Sequence, residues 1–224
     1  MAPDTLEADS IIYRIGDRNL LKNIYLKCQV GEVVGLLGRN GSGKSTLLKI
    51  IFGTLETENK SIRINGKRCQ RPFTQHLISY LPQESFLPRS LKVRQLISLF
   101  LPSREKQEAL KEHARIQPLL SKTVHQLSGG QLRYLEVALL LHLDTPFLLL
   151  DEPFSGIEPL LKEHMQELIL AHKETKGILV TDHNYRHIID VSDRLILLTE
   201  GTCRPIHHLQ ELEDWEYVPA GIFS

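Results

Sequence analysis

The chain has 224 residues, of which 42% are hydrophobic and 24% are charged, and its formal net charge is zero. This ordinary globular composition excludes an intrinsically disordered chain, which would combine low hydrophobicity with high net charge. The longest apolar stretch without charge, 137–143, is far shorter than the ~20 residues of a membrane-spanning helix, and the acidic N-terminus lacks the apolar core of a secretory signal. Three widely spaced cysteines favour reduced thiols in a cytosolic protein.

Apolar segments alternate with amphipathic segments along the whole chain. Strands are predicted at 10–15, 24–30, 33–37, 61–67, 147–150, 177–181 and 194–198, and helices at 44–54, 91–101, 103–115, 130–143 and 158–174. Strands that alternate with helices indicate an α/β protein with a mostly parallel sheet. The segment 84–127 has helical patterns without a convincing strand, and we therefore expect it to be a helical insertion in the α/β core.

A glycine-rich loop follows the apolar strand at 33–37 and opens a predicted helix. It contains Gly38, Arg39, Asn40, Gly41, Ser42, Gly43, Lys44, Ser45 and Thr46, which satisfy the phosphate-loop pattern G-x-x-x-x-G-K-[ST]. Glycines let backbone amides wrap phosphates, and the helix N-terminus adds unpaired donors. We expect Lys44 to reach the β- and γ-phosphates and Ser45 to bind Mg²⁺. The loop alone leaves kinases, GTPases, helicases and transport ATPases open.

Two adjacent carboxylates, Asp151 and Glu152, end the apolar run 147–150. In enzymes with a phosphate loop, a buried strand that ends in Asp holds the magnesium shell, here through water. Glu152 would then face the γ-phosphate, where a carboxylate can orient and deprotonate a water molecule. The pair would otherwise be an ordinary polar turn after a strand.

A third motif, Leu127-Ser128-Gly129-Gly130-Gln131, lies 23 residues before the aspartate and precedes a helical pattern. Ser128 is a predicted N-cap, and the two glycines expose backbone donors at the helix start. With these three motifs in this order, the sequence resembles the ATP-binding cassette (ABC) ATPases, the nucleotide-binding subunits of ABC transporters. The pentapeptide matches the signature motif of that family without a substitution.

The resemblance implies roles for further residues. Gln83 matches the glutamine that contacts Mg²⁺ and the attacking water, and His183 matches the histidine that contacts the γ-phosphate, although a single histidine among ten is more often a surface residue. The implied catalytic residues are therefore Glu152, His183, Gln83 and Lys44, and the implied metal ligands are Ser45, Gln83 and Asp151. Tyr13 is the candidate for stacking on adenine, although Ile15 occupies the usual aromatic position.

The resemblance also implies a fold, a division of the chain and a set of partners. The fold is an α/β P-loop NTPase core with a mostly parallel sheet, an N-terminal antiparallel β part and a helical insertion. The core comprises 1–83 and 129–224, and the helical subdomain comprises 84–128 and continues into the helix at 130–143.

The implied function is ATP hydrolysis with Mg²⁺ by a head-to-tail homodimer. In that dimer, Ser128, Gly129, Gly130 and Gln131 of one copy cover the ATP bound to the other. The dimer would drive separate transmembrane permease subunits from the cytoplasmic face of the membrane. The alternative is a soluble ABC ATPase that serves nucleic-acid repair, translation or metal-cluster assembly. A basic stretch, Lys60, Arg63, Lys67, Arg68 and Arg71, keeps that alternative open, although no aromatic residue interrupts it and nucleic acid is not the expected partner.

Overall fold

The structure is a computed structural model that describes residues 4–223. The strands in chain order are β1 (Thr5–Ile15), β2 (Arg18–Gln29), β3 (Val33–Leu37), β4 (Asn59–Ile64), β5 (Lys67–Arg68), β6 (Ile78–Leu81), β7 (Phe147–Asp151), β8 (Gly177–Thr181), β9 (Arg194–Thr199) and β10 (Thr202–Ile206). They form two sheets. The first is antiparallel, in the order β2-β1-β4-β5, and the second has the order β10-β9-β3-β8-β7-β6. The second sheet is parallel except for the antiparallel edge strand β10.

Helices connect and cover these strands. In chain order they are α1 (Lys44–Phe52), α2 (Val93–Phe100), α3 (Arg104–Glu112), α4 (Gly129–His142), α5 (Pro159–His172), α6 (Tyr185–Val191) and α7 (Glu211–Asp214). Each of the five helices predicted from the sequence is present within a few residues of its expected bounds. The predicted fold class is therefore confirmed, with its parallel sheet, antiparallel part and helices.

The central strands β3, β7 and β8 are buried at every position. Their side chains alternate between two hydrophobic cores, as the period of two along a strand requires. Leu148 and Leu150 of β7 pack with α4, α5 and α6, whereas Leu149 packs with α1 and the antiparallel sheet. Burial on both faces explains why these strands are continuously apolar, and it fixes the sheet edge at which they end.

The segment 84–128 carries α2 and α3. Its buried side chains, among them Leu96, Ile97 and Leu110, join the same core as α4 and α5. None of the described strands lies in this segment, as the sequence predicts. Lys92 and Thr123 form an isolated β-bridge. The boundaries of a separate helical subdomain stay a prediction, because one continuous core runs through both parts.

Five elements were not predicted: β5, β6, β10, α6 and α7. β10 contains Pro205 and lies at an edge of its sheet, where the missing backbone donor is tolerated. α6 and α7 are too short for a clear helical period. None of the helices described between residues 4 and 223 combines the length and the hydrophobicity of a membrane span.

The basic stretch lies on β4, β5 and the turn after them, and acidic side chains accompany it. Lys60 and Arg71 pair with Glu56 at 2.9 and 3.3 Å, and Arg63 lies 3.9 Å from Glu7. Because these cations already face carboxylates, the stretch is less positive than its sequence indicates. This weakens the observation that kept a nucleic-acid partner open.

Candidate functional site

A cavity of about 620 Å³ opens where the loop after β3 enters α1. Its walls bring six residues of the phosphate loop together with Gln83, Glu152 and His183. The lining residues are Ile15, Arg18, Leu20, Asn40, Gly41, Gly43, Lys44, Ser45, Thr46, Gln83, Glu152 and His183. Residues from five separate parts of the chain therefore meet in one concave site at the carboxyl ends of the parallel strands.

The loop geometry depends on glycine at specific positions. Gly41 and Gly43 have φ of 76° and 104°, in the region that side chains rarely adopt. Gly38 has no room for a side chain, because a Cβ there would lie 2.6 Å from Oγ of Ser42. That Oγ is buried without a hydrogen-bond partner among the described residues, so an acceptor such as a phosphate oxygen would satisfy it. The loop and the first turn of α1 thus fit the phosphates of a nucleotide.

Lys44 is buried, with only 6% of its surface exposed. Its Nζ donates hydrogen bonds to the carbonyl oxygens of Gly38 and Arg39, at 2.7 and 3.3 Å. Burial lowers the pKa of Lys44, while the nearby carboxylates, led by Glu152, act in the opposite direction. The charged tip is therefore held inside the loop, where it can meet phosphate oxygens.

Asp151 is fully enclosed at the end of β7. Its Oδ1 accepts hydrogen bonds from the hydroxyls of Ser45 and Thr181, at 3.0 and 3.1 Å, and its Oδ2 accepts from Tyr80 at 3.0 Å. Nε2 of Gln83 donates to the same Ser45 hydroxyl at 3.0 Å. The structure therefore brings the three predicted metal ligands to one point.

Tyr80 and Thr181 are residues that the sequence motifs missed. They lie near the ends of β6 and β8, the two strands that flank β7, and Thr181 is the register partner of Asp151. The only signal in the sequence is a polar residue at the end of each apolar run. It becomes informative once the strand order is known, because neighbouring parallel strands end at the same edge.

Glu152 has a positive φ of 53°, which is unusual for a residue other than glycine. Backbone strain of this kind is characteristic of functional sites. Its Oε2 lies 3.8 Å from Nδ1 of His183, and the same Nδ1 lies 3.3 Å from Oδ1 of Asp182. The imidazole of His183 is half exposed. Glu152 and His183 are thus side by side on the cavity wall.

Ser128, Gly129, Gly130 and Gln131 do not join this cavity. They line a second one, of about 560 Å³, together with residues of the loop before α5 such as Ile157 and Glu158. Ser128 caps α4, as predicted: its Oγ accepts from the backbone N–H of Gln131, and the Gln131 side chain accepts from the backbone N–H of Ser128, both at 3.2 Å. Within one chain, the signature motif and the phosphate loop are therefore in different cavities.

The predicted adenine-stacking residue, Tyr13, also lies outside the phosphate-loop cavity. Its side chain packs against the core beneath the antiparallel sheet and lines a separate cavity of about 230 Å³. Ile15, which is 60% exposed, lines the phosphate-loop cavity instead, beside Arg18 and Leu20. Tyr13 and Ile15 are two residues apart in β1 yet line different cavities, because β1 is irregular between Tyr13 and Arg14.

Arg39 was predicted to bind the nucleotide, but its side chain is directed to the C-terminal part of the chain. The guanidinium donates a hydrogen bond to the backbone carbonyl of Glu216, and the side chain is not part of the cavity wall. The segment that contains Glu216 is anchored by Leu212 and Val218, both buried in the core. The C-terminal segment therefore supports the phosphate loop, and no motif in the sequence indicated this contact.

Comparisons with known proteins identify the family of the chain. The model of the family described as "ABC transporter" matches residues 21–155, which include the phosphate loop, the signature motif and both carboxylates. The chain is 34% identical over 215 residues to a probable ABC transporter ATP-binding protein of Azorhizobium caulinodans, covering 90% of this chain and 76% of that protein.

Two further similarities cover most of both chains. The lipopolysaccharide export system ATP-binding protein LptB of Haemophilus influenzae is 31% identical, over 88% of this chain and 87% of its own length. A solved ATP-binding subunit of an ABC transporter superposes with a TM-score of 0.82 at 26% identity, covering 95% of this chain and 93% of that one. The resemblance read from the motifs thus extends over nearly the whole chain.

Proposed function

Because the chain belongs to the ABC transporter family and is an ATP-binding, ATP-hydrolysing subunit of such a transporter, we propose that two copies share two ATP sites. In each site, one copy contributes the phosphate-loop cavity and the other contributes the signature motif. The ATP-driven dimer would move separate transmembrane permease subunits from the cytoplasmic face of a membrane. We assign the contact with those subunits to the groove between the core and the segment 84–128.

The observation that carries this proposal is the separation of the two cavities. The phosphate-loop cavity contains Lys44, Glu152 and His183 but no signature residue, and the signature cavity contains Ser128 and Gly130 but no phosphate loop. A head-to-tail pair brings each loop to the partner's signature, so that each cavity completes the other. A single copy is then expected to bind ATP and to hydrolyse it slowly.

Magnesium is the metal that the site's chemistry fits. Ser45 offers a hydroxyl, and Asp151 offers a carboxylate that would act through water. Gln83 would offer its amide oxygen after the amide turns, because in this structure its nitrogen faces the Ser45 hydroxyl. These oxygen donors are the kinds of ligand that Mg²⁺ takes alongside substrate phosphates. When bound, the ion supplies positive charge to the β- and γ-phosphates.

The side chains on the cavity wall have separate roles in ATP hydrolysis. Glu152 orients a water molecule and accepts its proton as the water oxygen bonds to the γ-phosphorus, and the bond to the β–γ bridging oxygen breaks to release ADP. Lys44, the loop amides and His183 donate to the phosphate oxygens on which charge accumulates. The partner's Ser128, Gly129 and Gly130 are expected to donate to the γ-phosphate from the opposite side.

Replacement of Glu152 by Gln tests the proposed base and the proposed dimer together. The amide keeps the shape of the carboxylate but cannot accept the proton, so ATP binding should persist while turnover falls by about 10²–10⁴-fold. Size-exclusion chromatography of Glu152→Gln with ATP should show a dimer. The double variant Lys44→Ala/Glu152→Gln is the control and should stay monomeric. Normal turnover in Glu152→Gln would exclude Glu152 as the base.

Affinity capture from detergent-solubilised membranes tests the membrane partner. The proposal expects a polytopic membrane protein to copurify with the chain. Capture of nucleic acid with no membrane protein would contradict it.

A further inference from the structure

Arg133 is a buried arginine two residues beyond the signature motif, in the second turn of α4. Only 8% of its surface is exposed. With Glu136, it lies in the wall of a third cavity, of about 280 Å³, which also includes Gln83 and Glu152. Burial of an arginine costs free energy unless acceptors bind its N–H groups and an opposite charge balances its own, so its contacts indicate its role.

The guanidinium binds three backbone carbonyls from two separate loops. Nη1 donates to the carbonyl of Pro82 at 2.6 Å, and Nη2 donates to the carbonyls of Asp151 and Glu152 at 2.6 and 3.2 Å. Pro82 directly precedes Gln83. The fixed fork of arginine donors therefore joins the backbone beside the proposed metal ligand to the backbone of the proposed base.

Glu136, one helical turn further along α4, balances the charge. Its Oε2 lies 3.3 Å from Nη1 of Arg133, and it is almost completely buried. Its Oε1 accepts a hydrogen bond from the backbone N–H of Phe86 at 3.3 Å, which ties the pair to the segment after Gln83. The arginine is thus neutralised without losing the donors that hold the carbonyls.

The backbone at Glu152 needs such support, because its φ is 53°. Its N–H donates to the carbonyl of Thr181 at 3.0 Å, and its carbonyl accepts from Arg133. Both peptide groups of the residue are therefore held, one by β8 and one by α4. This conformation directs the Glu152 side chain to the wall of the phosphate-loop cavity.

We propose that Arg133 is a positioning residue for ATP hydrolysis: it holds the backbone of Glu152 and of the Pro82–Gln83 loop in their active geometry and joins both to the helix that carries the signature motif. The inference rests on the proposed function, in which Glu152 is the base. This role of Arg133 would also connect the two ATP sites of the proposed dimer. The helix that covers the partner's ATP is the one that holds this copy's own base.

Arg133→Lys is the direct test, with Arg68→Lys as a matched control at an exposed arginine of β5. Lysine keeps the charge but presents a single ammonium, which cannot bind the carbonyls of both loops. We expect kcat for ATP to fall at least tenfold in Arg133→Lys while KM changes less than about threefold, and no change in the control. Arg133→Gln, which retains two amide donors, should lie between Arg133→Lys and the unsubstituted chain.

A double-substitution cycle with Glu152→Gln separates positioning from a general loss of structure. If Arg133 acts through Glu152, the single-turnover rate of Arg133→Lys/Glu152→Gln should be close to that of Glu152→Gln alone. An unchanged kcat in both Arg133 variants would overturn the inference. So would equal losses of ATP binding and turnover accompanied by a lower melting temperature. Normal turnover in Glu152→Gln would instead refute the proposed function, so the two failures are distinguishable.

Discussion

The hydroxyl oxygen of Ser45 lies 3.0 Å from Oδ1 of Asp151, although 106 residues separate them in the chain. The strand order explains the contact. The phosphate loop leaves β3, the aspartate ends β7, and β8 lies between these two strands in the sheet. All three run parallel, so the loop and the aspartate emerge at the same edge. This pair marks the point at which we propose that the phosphates and the metal meet.

Loss of the Ser45 hydroxyl should raise the Mg²⁺ concentration that ATP hydrolysis requires. Ser45→Ala removes the hydroxyl that we assign to the ion, so the Mg²⁺ concentration for half-maximal ATPase activity should rise about tenfold, in line with the loss of one ligand interaction. Ser45→Thr keeps the hydroxyl and should be nearly normal. A magnesium titration checks this, and identical titration curves for Ala and Ser at position 45 would remove Ser45 from the metal site.

We expect Ile15 to lie beside the adenine base of bound ATP, because its exposed side chain lines the phosphate-loop cavity. Stacking of a base on an aromatic ring contributes about 1–3 kcal/mol, so Ile15→Tyr should lower the Kd for ATP at least fivefold. Tyr13→Leu, which changes a side chain outside this cavity, should leave the Kd unchanged. Isothermal titration calorimetry measures both values. A weaker affinity in Tyr13→Leu with no gain in Ile15→Tyr would restore Tyr13 as the stacking residue.

Gly35 in β3 has no space for a methyl group. A Cβ there would collide with Ile188 and Ser192 of the α6 region and lie 2.8 Å from Leu195. Gly35→Ala should therefore lower the free energy of unfolding by about 1–3 kcal/mol through overpacking. Gly129→Ala is the control for stability, because a Cβ at that position meets no heavy atom within 4 Å. Chemical denaturation should show loss of stability in the first variant alone.

The imidazoles of His142 and His172 lie together, with ring centroids 4.9 Å apart, near the C-terminal ends of α4 and α5. Burial lowers the pKa of both from the ordinary 6.5, and Lys106 and Lys176 add to the effect, the first at both rings and the second at His172. The unfolded chain therefore binds protons at pH values where the folded chain does not. The free energy of unfolding should fall as the pH drops below 6.5 and level off below the folded pKa values.

Denaturation at pH 7.5 and 5.5 checks this expectation, with the double variant His142→Gln/His172→Gln for comparison. The double variant should show a smaller loss between the two pH values. The control is His164→Gln, on a residue that pairs with Glu167 along α5. An equal loss in the double variant and the unsubstituted chain would show that other groups dominate the acid response.

The sequence motifs predicted the phosphate loop, Asp151, Glu152 and His183, because the roles expected of these residues require specific residue types at fixed local spacing. They were insufficient for Tyr80, Thr181 and Arg133, whose contacts depend on strand order and on the packing of α4 against two loops. Tyr13 lies outside the phosphate-loop cavity because an irregularity in β1 changes which side chains share a face, and its role in stacking stays a prediction. Such irregularities leave little signature in composition or periodicity.

The sequence also did not predict the contact between the C-terminal segment and the phosphate loop. Its contact with Arg39 is a hydrogen bond to a backbone carbonyl, which any residue could provide. Only the folded chain brings Glu216 back to the phosphate loop.

Mixing two inactive variants tests the shared-site dimer most directly. Lys44→Ala removes the phosphate-loop lysine, and Ser128→Arg blocks the signature motif. In a head-to-tail pair, an equimolar mixture forms heterodimers that contain one intact site, from the loop of the second variant and the signature of the first. Turnover should recover to about a quarter of the unsubstituted rate under random pairing, while each variant alone stays inactive. A mixture as inactive as its components would contradict the shared sites.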